Sequence, residues 1–298
     1  MTKRNFALFA AMLVSVIYGL TFTIAKDVMP KYIHPFGFIV LRVGGAVALF
    51  WAIAFVGPKE KIAGSDFPRI IVAALFGVAI NMLTFFKGLS LTSPISASVI
   101  MVTTPIIVLV LSAILTKEKM KKRKVFGIIL GLIGTVFLIL FGKSIGEATN
   151  AGLGNLLVFI NAVSYGFYLI VVKKLMDKYN AFTFVKWIYS FGFVMVLPFG
   201  WSEFHAIEWQ IIPTTIYWKI GFVVIFSTFF TYLLNLLSMR ELKPTTVAVF
   251  IYLQPLFAAI IAIGLGKDHL TYVKITAAIL IFAGVYLVTQ EKPSPENR

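Results

Sequence analysis

Ten runs of mostly apolar residues constrain this chain more than any other feature of its sequence. They lie at about 6–25, 36–57, 69–87, 94–115, 124–141, 152–171, 182–201, 216–238, 245–266 and 271–289. An α-helix needs about 20 such residues to cross a bilayer. Hydrophobic residues make up 59% of the 298 residues and charged residues only 13%, whereas soluble domains carry about 25% charged residues. The sequence therefore predicts an all-α membrane protein with ten transmembrane helices.

The chain also repeats itself. At an offset of 147 residues, the segments that align are SVIYGLTFTIAKDVMPKY, at 15–32, and AVSYGFYLIVVKKLMDKY, at 162–179. This alignment matches Tyr18 with Tyr165. Farther along, an offset of 150 residues matches Pro105 with Pro255. A period of half the chain indicates two copies of one structural unit.

The number of helices in each copy has a geometric consequence. We predict a first repeat over 6–141 and a second over 152–289, each with five helices. Because five is odd, the second repeat enters the membrane from the side opposite to the first. The predicted fold is therefore two inverted five-helix repeats. This architecture is typical of secondary transporters, which bind their substrates near the bilayer midplane between the repeats.

Lysine and arginine set the expected orientation. The loops after even-numbered helices hold most of them, including Lys59, Lys61, 117–124, Lys173, Lys174, Lys178, Arg240 and Lys243. The segment 202–213 has none. Since cytoplasmic loops carry the excess of basic residues, we predict cytoplasmic termini and an external 202–213. Such loops also account for the net charge of +15, so nucleic-acid binding is not expected.

Several short motifs, in their order and duplication, resemble the drug/metabolite transporter superfamily and its bacterial ten-helix exporters with two EamA domains. These motifs are Tyr18-Gly19, Tyr165-Gly166, Pro105, Pro255, Glu118, and the helices GIILGLIGTVFLI and ILIFAGVYLV. The resemblance implies an exporter of small metabolites such as amino acids in the bacterial inner membrane. It implies no cofactor and no metal. Asp268 departs from the glutamate usual in such families, so we do not expect it to be essential.

Two prolines lie near the middle of equivalent helices. Because proline donates no backbone hydrogen bond, Pro105 and Pro255 free the carbonyls of Met101 and Ile251. In lipid a freed carbonyl needs another partner. One interpretation is a midplane binding site at two broken helices. The other is a packing kink whose carbonyl is satisfied by a neighbouring serine or threonine.

Polar side chains recur at helical spacing on the first, third, sixth and eighth helices. Asn81 and Thr84 share one face, as do Thr231 and Asn235. Such faces either hydrogen-bond neighbouring helices, at about 0.6 kcal/mol per contact, or line a cavity. The candidate cavity residues are Tyr18, Asn81, Thr84, Lys87, Thr104, Pro105, Asn161, Tyr165, Thr231, Tyr232, Asn235, Gln254 and Pro255.

Charged residues are scarce inside the apolar runs. Arg42 lies about 10 Å along its helix from Pro35 at a helical rise of 1.5 Å, so we expect it to snorkel to the outer surface. Lys87, at the end of the third helix, either snorkels or meets a substrate carboxylate. All acidic residues fall in loops, tails or helix ends. Proton coupling through a buried carboxylate is therefore disfavoured.

Two other classes of function, a membrane-embedded enzyme and a sensory or structural membrane protein, fit the sequence less well than transport. A membrane-embedded enzyme would need a nucleophile or metal cluster at membrane depth, and the sequence has no cysteine, no HExxH motif and no Walker motif. A sensory or structural membrane protein would have no need of two interchangeable halves. The expected partners are therefore a small-molecule substrate and lipid. Gly127 and Gly131 form GxxxG, which favours packing within the fold, and the chain is expected to be a monomer or homodimer.

Overall fold

The computed structural model describes residues 3–55, 60–116, 122–141, 150–241, 250 and 252–289. Within them the regular structure is helical. Of the residues that the sequence singled out, Lys59, 117–121 with Glu118, Lys243 and Ile251 lie outside these ranges. The helices are α1 (Lys3–Val28), α2 (Pro35–Ala54), α3 (Phe67–Ala74, Leu75–Ala79 and Ile80–Leu91), α4 (Pro94–Met101 and Thr104–Thr116), α5 (Lys122–Phe141), α6 (Ala151–Met176), α7 (Ala181–His205), α8 (Thr214–Val224, Ile225–Phe230 and Thr231–Glu241), α9 (Gln254–Gly264) and α10 (Tyr272–Thr289).

Length and composition make this a multi-pass membrane protein. Eight helices, α1 to α8, are long and apolar enough to cross a bilayer, and the described parts of α9 and α10 are shorter but apolar. Large apolar side chains face outward, as Phe126, Ile133 and Leu140 do along α5. In water such a surface would be costly, whereas lipid solvates it.

Local sequence sets where several helices begin. Pro35 and Pro94 occupy first-turn positions of α2 and α4, where a missing backbone N–H costs nothing. Asn150 and Asn180 cap α6 and α7, because their side-chain oxygens accept hydrogen bonds from the first-turn amides. These caps fix the loop-to-helix transitions at the start of the second half.

Two helices widen into a π-helical turn at matching positions. Leu75–Ala79 in α3 and Ile225–Phe230 in α8 have π-helical hydrogen bonding. The two turns begin 150 residues apart, which is the offset seen in the sequence. A π-turn inserts an extra residue and rearranges the backbone hydrogen bonds, and such turns are frequent at functional sites.

The halves pack against each other in a regular pattern. Three contacts join equivalent helices, namely α2 with α7, α4 with α9 and α5 with α10. Other contacts follow the same symmetry. Helix α1 packs on α8 and α9 of the second half, and its counterpart α6 packs on α3 and α4, which are the counterparts of α8 and α9 in the first half. Each half therefore presents equivalent surfaces to the other, as the sequence repeat leads one to expect.

The contact between α5 and α10 depends on glycine. A Cβ added to Gly284 would lie 2.6 Å from the carbonyl oxygen of Gly127 and 2.7 Å from the amide nitrogen of Gly131. Both neighbours are backbone atoms, so they cannot rotate away. The GxxxG motif of α5 therefore serves close packing within the chain.

We expect Gly284→Ala to lower the free energy of unfolding by about 1–3 kcal/mol, because the added methyl forces the two backbones apart. The measurement is thermal unfolding of the purified protein in detergent. Gly221→Ala is the matched control, since a Cβ there meets nothing within 4 Å. Equal loss of stability in both variants would contradict the assigned contact.

Candidate functional site

A buried cation lies between α2 and α8. The Arg42 side chain is only 8% exposed. Its Nε donates to the Thr228 hydroxyl at 2.7 Å, and its Nη2 lies 3.4 Å from the Ser227 carbonyl. The guanidinium also sits 4.8 Å from the ring centre of Phe86. The snorkelling prediction was therefore wrong, because the π-helical turn of α8 and the Phe86 face supply partners inside the bundle.

A cluster of tyrosines lies near this cation. It comprises Tyr18 of α1, Tyr165 and Tyr168 of α6, Tyr189 of α7 and Tyr232 of α8, and we call it the tyrosine cluster. Tyr165 and Tyr168 stack with ring centres 5.7 Å apart, and Tyr168 and Tyr232 are close enough to interact electrostatically. Tyr18 and Tyr189 are close enough to interact electrostatically with Arg42. Side chains of both halves thus converge on one region.

The tyrosine cluster leaves room beside it. Tyr18, Tyr165, Tyr168 and Tyr232 are each partly exposed. Tyr168 nevertheless packs directly on Gly77 of α3, where a Cβ would collide with the ring, and it lies close to Tyr232 of α8. A side chain between α3 and α8 points into the bundle. We therefore expect the open surface of these rings to face an internal cavity.

Two predicted asparagines join α3 to α6. The Asn161 side-chain amide donates to the backbone carbonyl of Asn81 at 2.8 Å. In return, the Asn81 side-chain amide lies 3.5 Å from the backbone carbonyl of Asn161. Thr84 bonds back to the Ile80 carbonyl at 2.8 Å. The two asparagines thus join α3 to α6, as the helix-packing interpretation of the polar faces expects, whereas the Thr84 bond stays within α3. One acceptor remains, because the buried Asn161 Oδ1 has no hydrogen-bond partner among the described atoms.

The break at Pro105 is satisfied locally. The Thr104 hydroxyl donates to the freed Met101 carbonyl at 2.8 Å. Such a local bond is what the packing-kink interpretation expects of α4. Gln254 and Pro255 begin α9 and are buried.

The remaining candidates have different surroundings. Thr231 is fully buried and bonds back to the Ser227 carbonyl at 2.8 Å. Lys87 lies over the ring of Phe36, at the start of α2 and apart from the tyrosine cluster. Asn235 is partly exposed and shares its helix face with Ser238, whose hydroxyl donates to the Ala7 carbonyl of α1. Asn235 therefore faces α1, on the interior side of α8.

Sequence reasoning missed the roles of Arg42, Tyr189 and Ser227. One general rule could have found Arg42: charged residues within membrane helices nearly always face the bundle interior and have partners there. The short distance from Pro35 favours the opposite prediction, because it leaves the outer surface within reach of a long side chain. Tyr189 and Ser227 carry no comparable signal, because tyrosine and serine are common on lipid-facing and packed surfaces alike.

Ion pairs join the halves at both ends of the bundle. At the end where α1 terminates, Asp27 pairs with Lys219 at 2.5 Å and with Lys267 at 2.7 Å. These three residues line a cleft of about 650 Å³. At the opposite end, where α3 begins, Asp66 pairs with Lys178 at 2.5 Å. None of the predicted cavity residues lines the cleft.

Asp268 has a larger structural part than expected. Its carboxylate pairs with the fully buried Lys274 ammonium at 2.5 Å and accepts a hydrogen bond from the Ile95 amide of α4 at 3.2 Å. Removing one partner of a buried ion pair leaves an uncompensated charge and typically costs about 3–5 kcal/mol. The expectation that this position is dispensable is therefore not supported.

Comparison with known proteins identifies the family. A model of the EamA-like transporter family matches residues 5–140 and 152–290. The chain belongs to the EamA-like transporter family. An uncharacterized transporter of Archaeoglobus fulgidus is 28% identical over 92% of this chain and 95% of its own length. YyaM, an uncharacterized transporter of Bacillus subtilis, is 25% identical over 91% and 89%.

More distant similarities extend over most of the chain. A WAT1-related protein of Arabidopsis thaliana is 26% identical over 94% of this chain and 82% of its own length. One protein of known crystal structure superposes with a TM-score of 0.58 at 16% identity, over 96% of this chain and 98% of that one. At that identity the superposition shows a shared fold. EamA-family membership makes this protein a membrane transporter.

We expect a cysteine in place of Asn235 to react with a membrane-impermeant thiosulfonate, because a water-filled cavity admits the reagent. The native chain has no cysteine, so each variant carries one. Val194→Cys is the control for lipid, since that side chain is 65% exposed but faces acyl chains. Ala162→Cys is the control for burial. If Asn235→Cys labelled as slowly as both controls, there would be no cavity beside α8.

Proposed function

We propose that this EamA-family protein is a secondary transporter that exports small metabolites, such as amino acids, by alternating access. The observation that carries the proposal is the internal polar region. It joins Arg42 of the first half to the tyrosine cluster, which draws on both halves. A site between two related halves can be reached from either side of the membrane in turn.

We also propose ten spans arranged as inverted repeats over 6–141 and 152–289. The direction of the helices supports this. Lys26, at the end of α1, donates to the Thr92 carbonyl, and the Thr92 hydroxyl bonds to Asn155, near the start of α6, at 2.5 Å. The end of α1 and the start of α6 therefore lie at the same end of the bundle. Equivalent helices then run in opposite directions.

The proposed orientation places both termini in the cytoplasm of a bacterial cell and 202–213 outside, with the chain in the inner membrane. The distribution of Lys and Arg supports it. It makes the cleft with Asp27 external and the ion pair of Asp66 with Lys178 internal. External labelling of Ser202→Cys in whole cells checks this orientation.

The proposed transport does not use a proton-carrying carboxylate at mid-depth. The ion-paired carboxylates within the described ranges, such as Asp27, Asp66 and Asp268, lie at helix ends. Transporters that couple to protons usually place Asp or Glu inside the bundle. Exchange, or driving by the charge of the substrate, is the coupling that this arrangement favours.

The test is uptake of labelled amino acids by proteoliposomes of the purified protein. We expect Asn235→Leu or Gln254→Leu to weaken apparent affinity by about 1–3 kcal/mol, because a bound polar group loses its partner. We expect an imposed pH gradient to change transport of zwitterions little. Gln210→Leu is the matched control, since Gln210 is exposed in the external segment. Wild-type affinity in the cavity variants, or strong stimulation by inward proton flow, would contradict these assignments.

A further inference from the structure

The Arg42 guanidinium is a buried cation, and no carboxylate of the described residues forms an ion pair with it. Guanidinium carries five N–H donors, and the described residues offer it two hydrogen-bond acceptors, one of them at 3.4 Å. A cation at membrane depth normally pairs with an opposite charge or with backbone carbonyls. Arg42 therefore has donors to spare in a region where water is scarce.

A second unsatisfied group lies beside it. The hydroxyl of Ser227 is buried and has no hydrogen-bond partner in the described part of the chain. Ser227 belongs to the π-helical turn of α8, and its carbonyl is the one that Arg42 approaches. A buried hydroxyl without a partner costs free energy in a native structure. An anionic oxygen bound between Arg42 and Ser227 would satisfy both groups.

The cation also breaks the symmetry of the two halves. Gly45 and Gly192 are 147 residues apart, and a Cβ on either would collide with a valine, Val224 or Val78. The sequence offset thus holds for α2 and α7. Three residues before these glycines, Arg42 in the first half corresponds to Tyr189 in the second. At this pair of equivalent positions the site accordingly has a cation on one half and a phenol ring on the other.

We propose that Arg42 binds an anionic oxygen group of the transported molecule, a carboxylate or a phosphate, while the tyrosine cluster packs against the rest of that molecule. Arginine suits this role because its planar fork makes two parallel hydrogen bonds to such groups. The inference rests on the proposed transport function, because it specifies the chemistry of that same site. The competing explanation is that Arg42 only ties α2 to α8 through Thr228.

Four probes with an aromatic body separate charge from shape. They are phenylacetate, phenyl phosphate, phenylacetamide and phenethylamine. Binding is measured as the shift in thermal unfolding of the purified full chain in detergent, over a range of probe concentrations. We expect at least one anion to bind the wild type, and the neutral amide and the amine to bind far less.

The variants then test the residue. Arg42→Gln should weaken anion binding by about ten- to a hundredfold, since a hydrogen-bonded charge pair is lost. Arg42→Lys should retain the preference for anions with a smaller loss, and Ser227→Ala should weaken binding modestly. Lys186→Gln removes one positive charge from a different helix, α7, and is the matched control. If Arg42→Gln does not fold, Arg42→Lys and Ser227→Ala carry the test, and wild-type anion affinity in both would overturn the proposal.

Three results would overturn the proposal: no anion binds the wild type, the amide or amine binds as tightly as the anions, or the anion preference survives in Arg42→Gln. A preference for only one of phenylacetate and phenyl phosphate identifies which oxyanion the site takes. Transport by the wild type distinguishes the two proposals. If proteoliposomes transport amines with no dependence on Arg42, the anion site fails and the transporter stands. If anions bind through Arg42 but no metabolite moves, the transport proposal fails and the anion site stands.

Discussion

Because lipid tails neither donate nor accept hydrogen bonds, the two π-helical turns need partners from other helices. At Phe76 in α3, the Ser164 hydroxyl of α6 donates to the rearranged backbone at 2.7 Å. In α8, the Arg42 guanidinium of α2 approaches the carbonyl of Ser227, one residue beyond the position equivalent to Phe76. Each turn thus receives a donor from the other half, and the Ser227 carbonyl also accepts from Thr231 within α8. This requirement draws polar groups to the interface between the halves, and the candidate site is built from those groups.

The contacts between the halves differ between the centre and the ends. At the centre, aromatic rings, amides and a single guanidinium meet through contacts that are individually weak, at about 0.5–1.5 kcal/mol for a typical hydrogen bond. At the ends, Asp27 and Asp66 form ion pairs across the halves. Pairs near the water interface are also worth little individually. An interface held by individually weak contacts can open at one end while it closes at the other.

The helices and the internal repeat could be predicted from the sequence because both follow from local composition and spacing. Much of the site could not. The segments LFGVA and IFSTFF carry no composition that marks a π-helical turn, since the widening depends on which neighbours satisfy the backbone. Arg42 was misplaced for the same reason, because its partner Thr228 is 186 residues away. Thr104 shows the opposite case, in which the partner of a carbonyl freed by proline is local, because Thr104 bonds to the Met101 carbonyl three residues before it. Tyr18, Tyr165 and Tyr232 were recognised from their symmetric or periodic positions, and the structure brings them into one region.

The account depends on the two ends moving in opposite senses around one central site, and spin-label distances in lipid nanodiscs test this most directly. Labels at Lys31 and Thr215 report the end with Asp27, and labels at Lys61 and Asp177 report the end with Asp66. All four positions are exposed. We expect each pair of labels to show a short and a long distance. The fraction of molecules with the long distance at one end should equal the fraction with the short distance at the other end. A single invariant distance at both ends, or lengthening at both ends together, would contradict alternating access.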